Sequence, residues 1–176
     1  MGRLTAIVLG SAAGGGFPQW NCRCPVCALA WAGDPRVRAR TQASLAVSAN
    51  GEDWILINAS PDLPEQIRRA AVLRPVSPAV AHPVAHPCGR TRGSPIKAVL
   101  LTGAEIDQVA GLLSLREREP FTLYGTPSAL SVIDGNSVFG VLPSAVVARR
   151  AVRDVDAIPD AAPACGGVAP ASQVKR

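Results

Sequence analysis

The order of short apolar segments along this 176-residue chain is the feature that most limits its fold. Residues 4–9 form a β-branched run that ends at a glycine, which predicts a buried strand. Residues 44–48 and 54–58 predict two more strands, and the Asn-Gly pair between them predicts a hairpin. Further strands are predicted over 96–101 and 121–124. Because helical segments separate the later strands, the pattern indicates a mixed α/β fold.

The helical segments carry recognisable start signals. The Ser-Pro-Asp sequence at 60–62 suits a helix start, because serine can cap, proline fits the first turn and an acidic residue complements the helix dipole. We expect this helix to reach about residue 73. Residues 109–118 and 127–133 predict two further helices, whereas the mixed stretch 137–153 predicts no clear element.

Two segments rich in proline and small residues are predicted to lie outside the core. Residues 74–95 contain both histidines and read as a surface loop or insertion. From residue 158 the chain consists mainly of Ala, Pro, Gly and Val with a basic end, which is too poor in large apolar side chains to pack. The predicted organisation is one domain over 1–157 followed by a disordered tail over 158–176.

Composition and charge exclude several classes of protein. The formal net charge is +5, from 18 Lys+Arg and 13 Asp+Glu. The basic residues are scattered and the aromatic residues do not interleave with them, whereas proteins that bind single-stranded nucleic acid combine a basic groove with aromatic platforms. No stretch approaches the ~18 consecutive apolar residues of a membrane helix, and the N-terminus lacks the pattern of a signal peptide. We therefore expect a cytoplasmic protein with no membrane span and no nucleic-acid partner.

Three cysteines lie within six residues and form the sharpest chemical motif. Cys22, Cys24 and Cys27 follow a C-x-C-x-x-C spacing, and Pro25 restricts the backbone between them. Zinc prefers four tetrahedral ligands and binds thiolates well at ~2.3 Å. The motif predicts a structural zinc site on a short loop, because a closed set of thiolates leaves no open position for catalysis. Free thiols and a redox-active pair are the alternatives.

The fourth zinc ligand is left open by the sequence. Cys88, His82 and His86 are candidates within the proline-rich segment, and Cys165 is a poorer candidate because it lies in the predicted tail. An exposed loop without a ligand role is the alternative for the two histidines, since flexible loops rarely hold a site in advance.

A glycine-rich segment follows the first predicted strand. Gly10 and the run Gly14–Gly16 suggest a phosphate-binding loop, but no Gly-Lys-Ser/Thr sequence and no G-x-G-x-x-G pattern opens a helix here. We expect these glycines to serve the conformation of the backbone instead.

Several longer motifs, in a consistent order, resemble those of one family. They are Val8–Cys22 with Cys24-Pro25 and Cys27, then Thr41–Ser48, Asn58–Asp62 and Gly111–Glu117. Over about residues 4–150 the chain is similar to the N-terminal half of the pyrroloquinoline quinone (PQQ) biosynthesis protein B family. The resemblance implies an α/β fold of the metallo-β-lactamase-like αββα sandwich type, here incomplete.

The same resemblance implies a cytoplasmic role in making PQQ from a peptide precursor, alongside other PQQ biosynthesis proteins. Two activities are associated with the family. One is a metal-dependent oxygenase, using iron, that acts on a tyrosine-derived intermediate. The other is the transport of PQQ or its precursor toward the periplasm.

The chain departs from the family at the metal loop. Metallo-β-lactamase-like proteins place H-x-H-x-D-H after a strand, and the PQQ family changes this motif toward D-x-Q/E-x-D-H. The matching positions here are Gly103, Glu105, Asp107 and Gln108. Glycine offers no side-chain ligand, and a neutral amide oxygen is a weak ligand for iron or zinc. Asp107, with Glu105 as a weaker helper, would mark a remnant catalytic site. The alternative is that both carboxylates cap the following helix or are simply solvated.

A second departure is length, because family members are considerably longer and their second half supplies the other layer. The alternatives to a family enzyme are therefore a zinc-stabilised, non-catalytic binding module or degenerate copy, and a hydrolase of the metallo-β-lactamase class. Half a sandwich would expose an apolar sheet face, which favours aggregation, partner binding or an oligomer.

Overall fold

The computed structural model describes residues 4–75 and 93–153. His82, His86, Cys88 and Cys165 lie outside these ranges, as do most of the proline-rich segment and the tail. The described residues form a six-stranded sheet in the order β1 to β6. The strands are β1 (Thr5–Gly10), β2 (Ser44–Ser48), β3 (Trp54–Ile57), β4 (Ile96–Leu100), β5 (Phe121–Gly125) and β6 (Val147–Ala151).

Within residues 4–75 and 93–153, four α-helices and three 3-10 turns connect the strands. The helices are α1 (Pro25–Trp31), α2 (Leu63–Arg69), α3 (Ile106–Val109) and α4 (Pro127–Gly135). The 3-10 turns span Ala71–Leu73, Ala110–Leu115 and Ser137–Val141. The predicted α/β class is confirmed, and no helix in the described ranges is long and apolar enough to cross a membrane.

The sheet changes from antiparallel to parallel pairing along its width. β2 pairs antiparallel with β3, as the Asn-Gly hairpin predicts, and β1 pairs antiparallel with the other side of β2. β3, β4, β5 and β6 then follow one another in parallel. Parallel strands that are adjacent in sequence require crossover connections, and these are almost always right-handed. Each strand from β4 to β6 is added on the same side of the strand before it, so the crossover helices lie on the same face of the sheet.

The hydrophobic core lies between that face and the helices. Leu56, Val99 and Leu123 occupy one register row of the central strands and are fully buried. Leu63 from α2 and Ile133 from α4 belong to the same buried cluster. Burying each such side chain stabilises the fold by roughly 1.5–3 kcal/mol. The aliphatic core therefore compensates for the scarcity of aromatic residues.

Several predicted boundaries were wrong, and long-range contacts explain most of them. α2 begins at Leu63 and not at Ser60, because the buried Ser60 hydroxyl donates to Gln66 Oε1 (3.2 Å) while Asp62 accepts from Gln42. The predicted helix over 109–118 is a short α3 followed by a 3-10 turn. β6 was missed because two arginines interrupt its apolar pattern, as an edge strand tolerates. The prediction that the first strand is buried was wrong, because β1 lies at the other edge of the sheet and its residues are exposed or only partly buried.

Candidate metal centre and carboxyl-edge site

The three cysteines of the motif converge in the folded chain. The sulfur atoms of Cys22, Cys24 and Cys27 all lie within 4.8 Å of one another. The prediction of a single loop was incomplete, because Cys27 lies inside α1, whose first turn begins at Pro25. Proline suits this position, since its missing N–H would lack a helical partner there. The helix therefore turns the buried Cys27 toward the two cysteines that precede it.

The electrostatics of the cluster favour a bound cation. A backbone hydrogen bond from Cys27, followed by the sulfurs of Cys22 and Cys27, lowers the pKa of Cys24. A backbone hydrogen bond from Gln19 favours the Cys27 thiolate, but burial and the neighbouring sulfurs outweigh it and raise the pKa of Cys27. Thiolates held this close repel one another, and a soft divalent ion would relieve that repulsion.

The donor set fits zinc with one position still to be filled. Three sulfurs are grouped within the described ranges, whereas a structural zinc site has four ligands. The candidates for the fourth position, Cys88, His82 and His86, lie outside the described residues. If zinc binds, it would crosslink the loop before α1 to the helix itself.

A surface cleft adjoins the cysteine cluster. Its volume is about 660 Å³, and its lining includes Trp20, Cys22, Arg23 and Trp31. Trp20 is 80% exposed and Trp31 57% exposed, which is unusual for such large apolar side chains. The Trp31 indole N–H donates to Cys22 O (3.3 Å), so the ring is tied to the cysteine loop. Sequence reasoning did not single out either tryptophan, although both flank the motif.

A second site lies at the carboxyl edge of the sheet. β1 runs in the same direction as β3, β4 and β5, since β1 and β3 are both antiparallel to β2. The loops that follow these strands therefore meet at one edge, where α/β proteins usually bind ligands. Asn58 and Thr102 join two of the loops, because the Thr102 N–H donates to Asn58 Oδ1 (2.9 Å) and Asn58 Nδ2 donates to Thr102 Oγ1 (2.9 Å).

A buried polar network fixes the glycine-rich loop at this edge. Asp62 Oδ2 accepts from the backbone N–H (2.9 Å) and the side-chain amide (3.1 Å) of Gln42. Gln42 Oε1 in turn accepts from the N–H of Gly15, whose φ of 93° suits glycine. The side-chain amide Nε2 of the buried Gln66 donates to Gln42 O (2.8 Å). This network supports the conformational role that the sequence predicts for the glycines. It also identifies Gln42 and Gln66 as structural residues that sequence reasoning missed.

Asp107 faces the glycine-rich loop. A Cβ added to Gly14 would lie 3.3 Å from Asp107 Oδ2. Only a small residue at position 14 therefore leaves enough space for the Asp107 carboxylate. Asp107 is half-buried and lies in the first turn of α3, while the exposed Glu105 takes the N-cap position without a side-chain capping bond. The structure thus brings Asp107, but not a set of imidazoles, to the carboxyl edge.

The residues of the metal loop do not fit a transition-metal centre. A Cβ at Gly103 would overlap Gln108 Oε1 and Glu105 Oε2, so the space of a ligand side chain at 103 is already filled. Gln108 Oε1 is buried and forms no hydrogen bond within the described part of the chain. The donors offered are one amide oxygen and carboxylates, without nitrogen or sulfur. Iron and zinc sites of this fold depend on imidazole, which this loop lacks.

Comparisons with known proteins agree with this architecture. A family model described as "Beta-lactamase superfamily domain" matches residues 53–170. "Coenzyme PQQ synthesis protein B" from Methylorubrum populi is 56% identical over 146 residues, covering 83% of this chain and 45% of the relative. The protein of that name from Methylobacterium nodulans is 54% identical over 149 residues, covering 85% of this chain and 46% of the relative. The chain thus spans about half the length of the curated relatives it matches.

Two solved structures share the fold of this chain over most of its length. The crystal structure of Zn²⁺-bound PqqB from Methylobacterium extorquens aligns with a TM-score of 0.76 and 51% identity, covering 86% of this chain and 50% of that chain. The crystal structure of a diphosphatase from the PhnP family aligns with a TM-score of 0.61 and 25% identity, covering 86% and 52% of the two chains. The predicted metallo-β-lactamase fold, represented here by one half of the sandwich, is confirmed.

Proposed function

The chain belongs to the β-lactamase superfamily and, within it, to the coenzyme PQQ synthesis protein B family, and on this premise we propose that it serves PQQ synthesis by binding PQQ or a precursor. In this proposal the chain is a zinc-stabilised binding module. Cys22, Cys24 and Cys27 hold the ion in this proposal, which is supported by the convergence of their sulfur atoms and by the similar PqqB having been solved with Zn²⁺ bound. The ion supplies a crosslink and takes no part in a reaction.

The cleft beside the cysteine cluster is the observation that carries the binding proposal. PQQ is a planar aromatic ring system that bears several carboxylates. Trp20 and Trp31 offer exposed aromatic faces for stacking, and Arg23 in the same lining offers a guanidinium for a carboxylate. The net charge of +5 further favours an anionic ligand.

Binding is favoured over oxygenase or hydrolase chemistry by the state of the metal loop. Gly103 supplies no ligand, and Gln108 Oε1 closes the space beside it. Asp107 is the one carboxylate of this loop that faces the glycine-rich segment. An activated metal-bound water or oxygen needs a well-formed open coordination site, and these residues do not assemble one.

Titration of the zinc-loaded protein with PQQ tests the binding proposal. Trp31→Ala is expected to weaken binding by about 10-fold or more, because loss of one stacking platform costs ~1–3 kcal/mol. Arg23→Gln is expected to weaken it by a similar factor through the loss of a charge-assisted bond. Tryptophan fluorescence quenching and calorimetry measure both effects.

Arg118→Gln is the matched control, since it removes an exposed arginine outside the cleft lining. The affinity of this variant should stay within about 2-fold of the parent protein, as expected for a screened surface charge outside the lining. If Arg23→Gln and Arg118→Gln lower the affinity equally, attraction by net charge and not a defined cleft is responsible. The absence of PQQ binding by the zinc-loaded parent would reject the proposal.

Asp107→Ala tests whether the carboxyl-edge loop retains a metal. After anaerobic incubation with Fe²⁺ and removal of free ion, we expect neither the parent nor the variant to retain stoichiometric iron, because one aspartate without imidazole binds weakly. Elemental analysis measures the retained iron, and oxygen consumption provides a second readout. Iron that the parent retains and the variant loses would establish a working site and favour the oxygenase.

A further inference from the structure

Gln19 links the cysteine cluster to the glycine-rich loop. Its backbone oxygen accepts from the Cys22 N–H (3.0 Å), and its backbone N–H donates to the Cys27 sulfur. Its side chain lies against the glycine-rich loop, because a Cβ at Gly15 would be 3.0 Å from Gln19 Nε2 and 3.2 Å from Gln19 Cγ. The same residue therefore contacts both of the sites described above.

The glycine-rich loop depends on supports from outside itself. Gly15 and Gly16 have φ angles of 93° and 75°. Glycine loses more conformational freedom on folding than any other residue, so ordering such a turn is costly. Residues 11–26 contribute no member to the buried hydrophobic cluster. The turn is therefore held by a few specific contacts and not by core packing, which makes its local stability low.

Two side chains support Gly15 from different directions. Gln42 Oε1 accepts from the Gly15 N–H (3.2 Å), and Gln42 is itself buried and bonded to Asp62. Gln19 lies on the side where a Cβ would project, and the three atoms nearest to that position all belong to it. Gln19 is exposed, and its backbone bonds go to the cysteine cluster. The support from Gln42 is therefore independent of a metal, whereas the support from Gln19 is not.

The position of Gln19 depends on the cysteine cluster more than on the rest of the fold. The helix α1 has seven residues, and Cys27 is the one residue that it buries. Three thiolates held within 4.8 Å of one another repel unless a cation lies between them. An ion that joins Cys22 to Cys27 would fix both hydrogen-bond partners of the Gln19 backbone at once.

We propose that zinc in the cysteine cluster sets the conformation of the glycine-rich loop through Gln19, so that the metal site and the carboxyl edge are coupled. The turn lies against Asp107, since a Cβ at Gly14 would be 3.3 Å from Asp107 Oδ2. Loss of zinc releases Gln19, loosens Gly14–Gly16 and changes the surroundings of Asp107. By linkage, a ligand that orders this loop raises the zinc affinity by the same factor. The inference rests on the zinc occupancy proposed above.

Hydrogen exchange of the reduced protein, before and after zinc is removed with a chelator, tests the coupling. The amides of Gly15 and Gly16 are hydrogen-bonded and report on the turn, when mass spectrometry with fragmentation resolves them. Removal of zinc should speed their exchange at least about 5-fold, the lower end of typical coupling between sites. Peptides from β4 and β5 should keep their protection, because these strands lie in the core. Elemental analysis verifies the zinc content of each sample.

Gln19→Ala separates the link from the metal itself. The variant keeps both backbone bonds and should retain zinc, yet Gly15 and Gly16 should exchange about 3-fold faster or more in the zinc-loaded state. Chelation should then add less than about 2-fold, because the two changes act through one contact and are not additive. Gln19→Met, which keeps the length of the side chain, should restore the response to zinc. Val26→Ala is the matched control, since Val26 is 51% exposed in the same segment, and it should match the parent within about 2-fold.

Other outcomes would overturn the inference. A parent protein without zinc would overturn the proposed metal site and the coupling together. Zinc that is present and removed without a change in exchange at Gly15 and Gly16 would overturn the coupling alone. If the chelated protein unfolds throughout, the zinc-loaded Gln19→Ala decides, and exchange within about 2-fold of the parent would contradict the link. Equal effects of Val26→Ala and Gln19→Ala would show a general sensitivity of the segment and no role for Gln19.

Discussion

Gly111→Ala is expected to destabilise the protein by about 2–4 kcal/mol, which is a large part of the stability of a typical domain. A Cβ at this position would overlap the carbonyl oxygen of Ser60 and lie 2.8 Å from Ala59 O. Both neighbours are backbone atoms, so no side-chain rotation relieves the overlap. The Gly111 N–H also donates to Ala59 O (2.8 Å), and the methyl group would disturb this link between the loops after β3 and β4.

Urea unfolding measures this effect, and Gly140→Ala is the matched control. Gly140 lies in the 3-10 turn Ser137–Val141, and a Cβ there meets no atom within 4 Å. The control should change the free energy of unfolding by less than about 0.5–1 kcal/mol. Equal stability of Gly111→Ala and the parent would mean that the two carboxyl-edge loops separate easily, which would contradict the close packing described above.

Loss of the metal is the second large effect expected. The parent protein should contain about one zinc per chain, and the Cys22/Cys24/Cys27 triple alanine variant should contain none, because three thiolate ligands are removed at once. The apparent binding free energy of structural zinc in small domains is about 10–16 kcal/mol near neutral pH. α1 buries one residue, Cys27, so the segment around this helix depends on the ion more than on the core.

The triple variant should therefore keep a cooperatively unfolding sheet while residues 20–34 become sensitive to protease. Elemental analysis and limited proteolysis measure the two effects. Cys88→Ala, His82→Ala and His86→Ala, made singly, identify the fourth ligand, since the required one lowers zinc affinity strongly. Zinc that survives in the triple variant would reject the cysteine site, and iron that survives there would point to the carboxyl-edge loop.

Local patterns in the sequence were sufficient to predict most of the strands and the clustering of three cysteines. Residues 44–48 and 96–101 are short, mainly apolar segments, and the observed β2 and β4 lie within one residue of these bounds. The hairpin followed from its Asn-Gly turn. The cysteine spacing predicted convergence because three donors so close along the chain need little folding to meet. The resemblance of several ordered motifs indicated the family and the half-sandwich fold.

Other features depend on contacts between residues far apart in the chain. The start of α2 at Leu63 depends on Gln42 capturing the carboxylate of Asp62 from 20 residues away. β6 contains two arginines and is a strand because β5 offers it an unpaired edge. Helix propensity and strand periodicity are local quantities, and they carry no information about such partners.

By itself, the sequence determined five of the six strands, where three thiols gather and which ligands the metal loop lacks. Only the tertiary structure decided that Gln108 fills the space beside Gly103 and that Asp107 faces Gly14. The physical reason is the same in each case. Covalent neighbours and periodicity act over a few residues, whereas steric exclusion and the burial of a sheet face arise only when distant segments occupy the same region of space.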